Sequence, residues 1–301
     1  MKSLLLALLA QSAVGVPAAE PELEQLDALT EWTRVQNENG CAMRRSFGSP
    51  DAPTVLEFRR DEPRSGRFDI AITSAAHEMA DGSFTATLQP GGVAFSPSLP
   101  GREMAASGAL WSVWDHDIRE ASKRDLPSEE WDRYYARNGP DEFRAQIRSL
   151  DIEGLFDRDF SLPIGPIDTV REELGDCYDD VMVAHGLSRH DAVDDNRPVR
   201  FRNREQILRS MLDLVPQALI QRIRQDRQVL VNFVIFLDAN AEPTTCRLTT
   251  VPRYRELEEK GCEKLTGEGE FEFAKGEERR PAMLQAGFFY REGVGLTTTG
   301  G

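Results

Sequence analysis

Eight side chains dominate any search for chemistry in this sequence: the cysteines Cys41, Cys177, Cys246 and Cys262 and the histidines His77, His116, His185 and His190. A zinc site needs ligands a few residues apart, usually two to four between paired cysteines. These cysteines are far more widely spaced. Asp115-His116-Asp117, following Trp111 and Trp114, is the best local cluster for a metal or an acid–base pair. Neighbours in sequence project in different directions from a helix or strand, so the run implies no convergent site. His185 precedes Gly186 where a helix ends, a position from which histidine commonly meets terminal carbonyls. Asp176, Asp179 and Asp180 read as the solvated face of that helix. No H-E-x-x-H, G-x-S-x-G, phosphate loop or G-x-G-x-x-G is present. Two carboxylates could serve a glycosidase, but among 51 acidic residues any chosen pair is arbitrary. No catalytic, cofactor-binding or metal-binding residue is therefore assigned.

The cysteines read differently if the chain is exported, where an even count becomes a disulfide framework with three possible connectivities. The start, MKSLLLALLAQSAVGVPAAE, has Lys2, an apolar run from Leu4 to Val16, and small residues for cleavage after Ala18. That predicts a signal peptide over 1–18; an uncleaved anchor or a buried first helix is the alternative. No later run is long and apolar enough to cross a bilayer. A soluble periplasmic or secreted protein is expected.

Charge divides the chain. Residues 199–301 hold 16 basic against 15 acidic groups, whereas residues 1–198 hold 20 against 36, within a total of −15. Such asymmetry suggests two separately built units, and so acidic a chain is a poor partner for nucleic acid. The boundary leaves two cysteines on each side, which pairs Cys41 with Cys177 and Cys246 with Cys262. A helix over DTVREELGDCYDDVMVAHGL would place Val170, Leu174, Cys177, Val181 and Ala184 on one buried stripe. A disulfide from that stripe could hold helix and sheet together.

The predicted fold is α+β in two domains. An acidic domain over 19–190 combines a short helix over 20–37, an antiparallel meander over 41–96, and helical, acidic sequence from Leu110 onward. Short helices are expected at Glu129 to Asn138 and Pro140 to Leu150. A polar linker follows over 191–204, and a second domain over 205–301. This begins with a basic amphipathic helix interrupted at Pro216. Next come a strand from Val229 to Leu237 that is apolar on both sides, a DANAEP turn and a return strand TTCRLTT. A helix with Tyr254, Leu257, Cys262 and Leu265 inward and a last strand PAMLQAGFFYRE complete it. The tail GVGLTTTGG is expected to fray. A strand apolar on both faces is either covered on both or pairs with a partner.

The pieces LVNFVIFLDANAEPTTCRL, the helix around Leu257 to Leu265 and FEFAKGEERRPAMLQAGFFY resemble the C-terminal domain of TonB-type energy transducers, over roughly residues 228–292. Many exported relatives of that domain carry one cysteine on the return strand and one in the helix, as Cys246 and Cys262 stand here. NGCAMRRSFG resembles the start of uncharacterised exported bacterial proteins, which implies no function. Energy transducers retain a membrane anchor and a Pro-rich spacer, and this chain shows neither, so it is not expected to drive an inner-membrane motor coupling. What the resemblance implies is a β-β-α-β domain whose sheet edge takes an extended peptide. The expected function is thus a non-enzymatic periplasmic or envelope protein that binds another envelope protein, without cofactor or metal. Two alternatives stand beside it: a secreted hydrolase with a site near Trp111 to Asp117, and a purely structural envelope component.

Overall fold

The computed structural model describes residues 23–37, 40–60, 67–80, 83–90, 93–95, 102–105, 108–114, 146–187, 199–215, 228–249, 255–291 and 295–299. The expected signal peptide, Asp115-His116-Asp117, Glu129 to Asn138, residues 140–145, His190, Pro216 and Tyr254 lie outside them.

The chain is mixed α+β and mostly sheet, with three α-helices among the described residues. Its first strands are β1 (Glu24–Gln25), β2 (Thr33–Asn37), β3 (Gly40–Ser49), β4 (Ala52–Arg60), β5 (Arg67–Ser74), β6 (Thr85–Gln89) and β7 (Val93–Phe95). There follow β8 (Arg102–Ala105), β9 (Gly108–Trp114), β10 (Ser149–Glu153), β11 (Phe160–Pro163) and the helix α1 (Ile167–Ala184). Next are β12 (Val199–Phe201), α2 (Arg204–Ser210), β13 (Gln228–Leu237) and β14 (Pro243–Leu248). The last elements are α3 (Arg255–Glu268), β15 (Phe271–Phe273), β16 (Ala282–Arg291) and β17 (Gly295–Thr299).

Two sheets form the first part. One has the order β2-β3-β4-β5-β9-β8, the other β1-β11-β10-β6-β7. The period-2 alternation of β3, β4 and β5 sends Met43, Phe47, Leu56, Phe58, Ile70 and Ile72 into a common core with Leu88, Leu150 and Phe160 of the second sheet. Arg45 lies on that same face but meets its rim: it donates through Nε to the Thr30 carbonyl (2.8 Å) and through Nη1 to the Pro163 carbonyl (3.2 Å). Its guanidinium lies over Trp32 and Phe47 at 5.9 and 5.7 Å, so one cation stitches two sheets at their edge.

On the opposite face of β4, Glu57 accepts from Arg44 Nε (2.5 Å) and Arg59 Nε (2.7 Å). Burial pushes the Glu57 carboxyl up, but the Arg59 and Arg44 guanidiniums outweigh it and hold the group below the usual glutamate range. A carboxyl with a depressed folded pKa stabilises above its unfolded value, and that contribution disappears as pH falls through the folded one. Glu57→Gln should cost about 1–2 kcal/mol at neutral pH, because two half-exposed arginines lose their anion. The variant's stability, followed by urea titration from neutral to acid pH, should also fall less on acidification than that of the parent. An unchanged acid limb would remove Glu57 from the account.

The helix α1 has the expected stripe, with Val170, Leu174, Cys177, Tyr178, Val181 and Met182 buried, though Ala184 is exposed. It ends at His185 followed by Gly186 at φ +76°. Leu187 N–H donates to the Met182 carbonyl (3.0 Å) and Gly186 N–H to that of Val183 (2.9 Å), a Schellman stop that glycine permits. Cys177 is bonded to Cys41 of β3, fixing α1 against the larger sheet.

The second part is a four-stranded antiparallel sheet, β14-β13-β16-β17, with α3 against β14 and a disulfide between Cys246 and Cys262. A small separate ladder, β12 with β15, packs on the same core. A second core contains Val231, Phe233, Ile235, Leu237, Leu257, Leu265, Ile207 and Met211. Gly261 lets α3 approach, since a Cβ there would lie 2.7 Å from Phe233 Cζ. Asp238 organises the β13–β14 turn by accepting from Asn240 N–H (2.7 Å) and Glu242 N–H (2.9 Å). Those backbone bonds, Glu242 first, hold its carboxyl below the usual aspartate range.

Several expected elements are corrected. The helix over 20–37 is instead β1, a bridge at Ala28 and β2, because pairing with β11 and β3 overrides a weak helical pattern. The meander holds for β3 to β5, with β2 added at its edge, but β6 and β7 leave it and join the other sheet. Leu110 and Trp111 belong to a strand, β9, and Ser149 to β10, where helix was expected. Residues 199–201 of the expected linker pair with β15, and the basic helix ends at Ser210 before a 3₁₀ turn, Leu212–Leu214. The tail does not fray between Gly295 and Thr299: it is β17.

Candidate functional site

The side chains first considered for chemistry do not converge among the described residues. Trp111 is fully buried, with its ring edge-on to Phe84 at 5.3 Å and its indole N–H unpartnered, so it is core rather than a pocket wall. His185 stacks on Phe236 at 3.9 Å between centroids. His77 lies against Phe160 (5.4 Å), with Nδ1 3.4 Å from Asp157 Oδ1. Ser74 is three residues before His77, which assembles the residue types of a hydrolytic triad. Yet Ser74 Oγ bonds to Thr54 Oγ1 (2.9 Å) and accepts the N–H groups of Ala76 and His77 (3.2 and 3.1 Å), all of them turn-forming contacts. No group of three or more His, Cys, Asp or Glu side chains among the described residues could hold a metal ion.

The two-sided apolar strand has a different outcome from a partner contact. One face of β13 (Val231, Phe233, Ile235) belongs to the second core, and the other (Val234, Phe236) belongs to the first. The covering element is the end of α1. His185 stacks on Phe236, Met182 shares its core, and a Cβ at Gly186 would lie 3.0 Å from Pro281 Cγ, just before β16. Both faces of β13 are thus occupied by the chain itself.

What stays open among the described residues is backbone. Thr249 N–H donates to the Asn232 carbonyl (2.9 Å), whereas Leu248 N–H turns outward to Glu258 Oε1 (3.1 Å). Antiparallel ladders alternate these directions residue by residue. Asn232, Val234 and Phe236 therefore address β14, and Phe233 and Ile235 address β16, opposite Ala286 and Leu284. Met283 and Gln285 consequently direct their N–H and C=O groups away from β13. β16 pairs with β13 along all ten residues, but with β17 only over Gly287–Arg291. Beside Ala282–Ala286 no strand pairs with that edge among the described residues. The opposite edge, β14, is guarded: it begins at Pro243, breaks register near Phe236, and has the Leu248 N–H capped by Glu258. Sequence reasoning did not single out Met283 or Gln285, because an outward backbone group leaves no side-chain signature.

Fold and geometry together define a disulfide-braced α+β chain with an incompletely paired sheet edge and no assembled catalytic group among the described residues. The chain matches no family model, and neither the curated proteins nor the solved structures show a relative.

Proposed function

We propose that this is an exported, non-enzymatic binding protein that takes an extended segment of another envelope protein along an edge of its C-terminal sheet. One observation carries the reading: the four-stranded sheet ends in backbone groups that an added strand would pair. The order β13, β14, α3, β16 supports the TonB-like arrangement expected from sequence, with β12, β15 and β17 as additions to it. Support for export comes from the two buried or half-buried disulfides. No helix of the described residues is long and apolar enough to cross a membrane.

The test uses the full, oxidised chain, immobilised and panned against displayed random peptides about seven residues long, the length of an ordinary strand. Enrichment of extended sequences whose binding maps to residues 228–299 supports the reading. Failure to enrich any peptide, or binding confined to residues 23–187, rejects it.

A further inference from the structure

We infer that Cys246–Cys262 is a thiol–disulfide exchange site. A dithiol reductant opens this bond selectively, and its opening releases α3 from β14 while Cys41–Cys177 stays closed. The inference is independent of the docking reading, since it concerns which bond a reductant reaches and what that bond holds.

The two disulfides differ in access. Cys41 and Cys177 are 3% and 0% exposed, enclosed between β3 and α1 with Met43, Leu174 and Val181 in the same core. An attacking thiolate must reach a sulfur of the bond, and here α1 would have to lift first. Cys246 and Cys262 instead pack at the margin of the second core, and both are partly exposed.

The bonds differ as well in what they hold. α1 buries seven of its eighteen residues, so its apolar stripe keeps it on the sheet. α3 buries three of fourteen, Leu257, Gly261 and Leu265, and the glycine brings no side chain. Its ion pairs, Arg255 with Glu259, Lys260 with Glu256 and Lys264 with Glu268, join α3 only to itself. Exposed pairs of this kind contribute little, and a helix this short is marginal without tertiary support. The far end of α3 is tied separately: Asn203 donates from Nδ2 to the Glu268 carbonyl (2.8 Å) and accepts the Glu270 N–H at Oδ1 (2.9 Å).

Against β14, two fastenings stand side by side. Cys262 bonds Cys246, and one helical turn earlier Glu258 accepts the N–H of Leu248, two residues along the strand from Cys246. Opening the disulfide removes closure of a loop between residues 16 apart, worth about a hundredfold in the chain-entropy model. The Glu258 bond is then left to hold that end of α3 with two leucines. α3 swings on its Asn203 anchor and uncovers Phe233 and Met211, against which Gly261 is packed.

The exchange balances with the dithiol as its sole reagent. A reductant thiolate adds to one cysteine sulfur as the S–S bond breaks, and the other cysteine leaves as thiolate and takes a proton. The reductant's second thiol then displaces the first cysteine, so the protein gains two electrons and two protons and the reductant becomes a disulfide. That second thiol matters. The Cα atoms of Cys246 and Cys262 lie 5.4 Å apart, so the freed cysteine returns to the mixed disulfide and expels a monothiol. A dithiol completes the reduction before that return.

Timed reduction of the intact oxidised chain by dithiothreitol at neutral pH, quenched with iodoacetamide and mapped by mass spectrometry, gives the order of opening. Cys246 and Cys262 should be alkylated at least about tenfold faster than Cys41 and Cys177, and at least about tenfold faster than with glutathione at equal thiol concentration. In the chain reduced at this bond alone, NMR should show the Leu248 amide exchanging at least about tenfold faster than before, with the Leu187 amide of the α1 stop unchanged. Reoxidation should restore the slow exchange. Joint Cys246→Ser and Cys262→Ser replacement should give the fast Leu248 exchange with no reductant present. Equal opening of the two bonds, or earlier opening of Cys41–Cys177, overturns the inference. So does a Leu248 amide that stays protected after reduction, because packing alone would then hold α3. Glutathione as effective as dithiothreitol would overturn the choice of a dithiol.

Discussion

Replacing Cys41 and Cys177 together by alanine should lower the unfolding free energy by about 5 kcal/mol, because the bond closes a loop of 136 residues. The corresponding change at Cys246 and Cys262, which closes a loop of 16, should cost about 3 kcal/mol. The chain-entropy model sets this ranking, and the burial of Cys41 and Cys177 adds to it, since alanine leaves their packed site underfilled. Guanidinium unfolding of the two double variants beside the parent measures the difference. Equal losses would mean that the long loop is already compact in the unfolded chain. A larger loss at Cys246–Cys262 would show that α1 is held mainly by its apolar stripe.

Phe236→Ala should cost about 3–5 kcal/mol, the usual range for deleting a fully buried phenylalanine. Its particular signature is location. Phe236 belongs to the first core and carries His185, whereas Phe233, three residues earlier and so on the opposite face of the strand, belongs to the second. Phe236→Ala should therefore speed exchange of the Leu187 amide, which closes the α1 stop on Met182. Phe233→Ala should destabilise by a similar amount and leave that amide protected until global unfolding. If both variants expose Leu187 alike, the two cores melt as one and β13 is not the seam between them.

Much of this architecture was legible from local pattern. The α1 stripe and its glycine stop, the β13 hairpin, the helix after it and the last long strand each carry their signal within one segment. So did the cysteine pairs, once charge had divided the chain and α1 had put Cys177 on a buried stripe. What escaped was non-local. The sequence from Leu110 favours helix because Leu110 and Trp111 alternate only in relation to β5, some forty positions away in the ladder. β2 is a strand because it pairs with β3 from Thr33 to Asn37, against the helical composition around Glu31 and Trp32. β17 has the composition of a frayed tail, since Thr-Thr-Thr says little until β16 offers its edge. The apolar second face of β13 was visible, but not its cover, because α1 lies far upstream. Of the candidate site, the sheet could be read and the open half-edge could not: register decides it, and register is set by pairing rather than composition.

The bond between Cys41 and Cys177 also sets how far the molecule can be stretched. Tension applied at the chain ends bypasses everything between those two sulfurs, so 136 residues, about 480 Å of extended chain, cannot pay out. The load instead crosses from β3 directly into α1. A partner tugging on the C-terminal sheet would therefore pull on a tether that is nearly inextensible between Cys41 and Cys177.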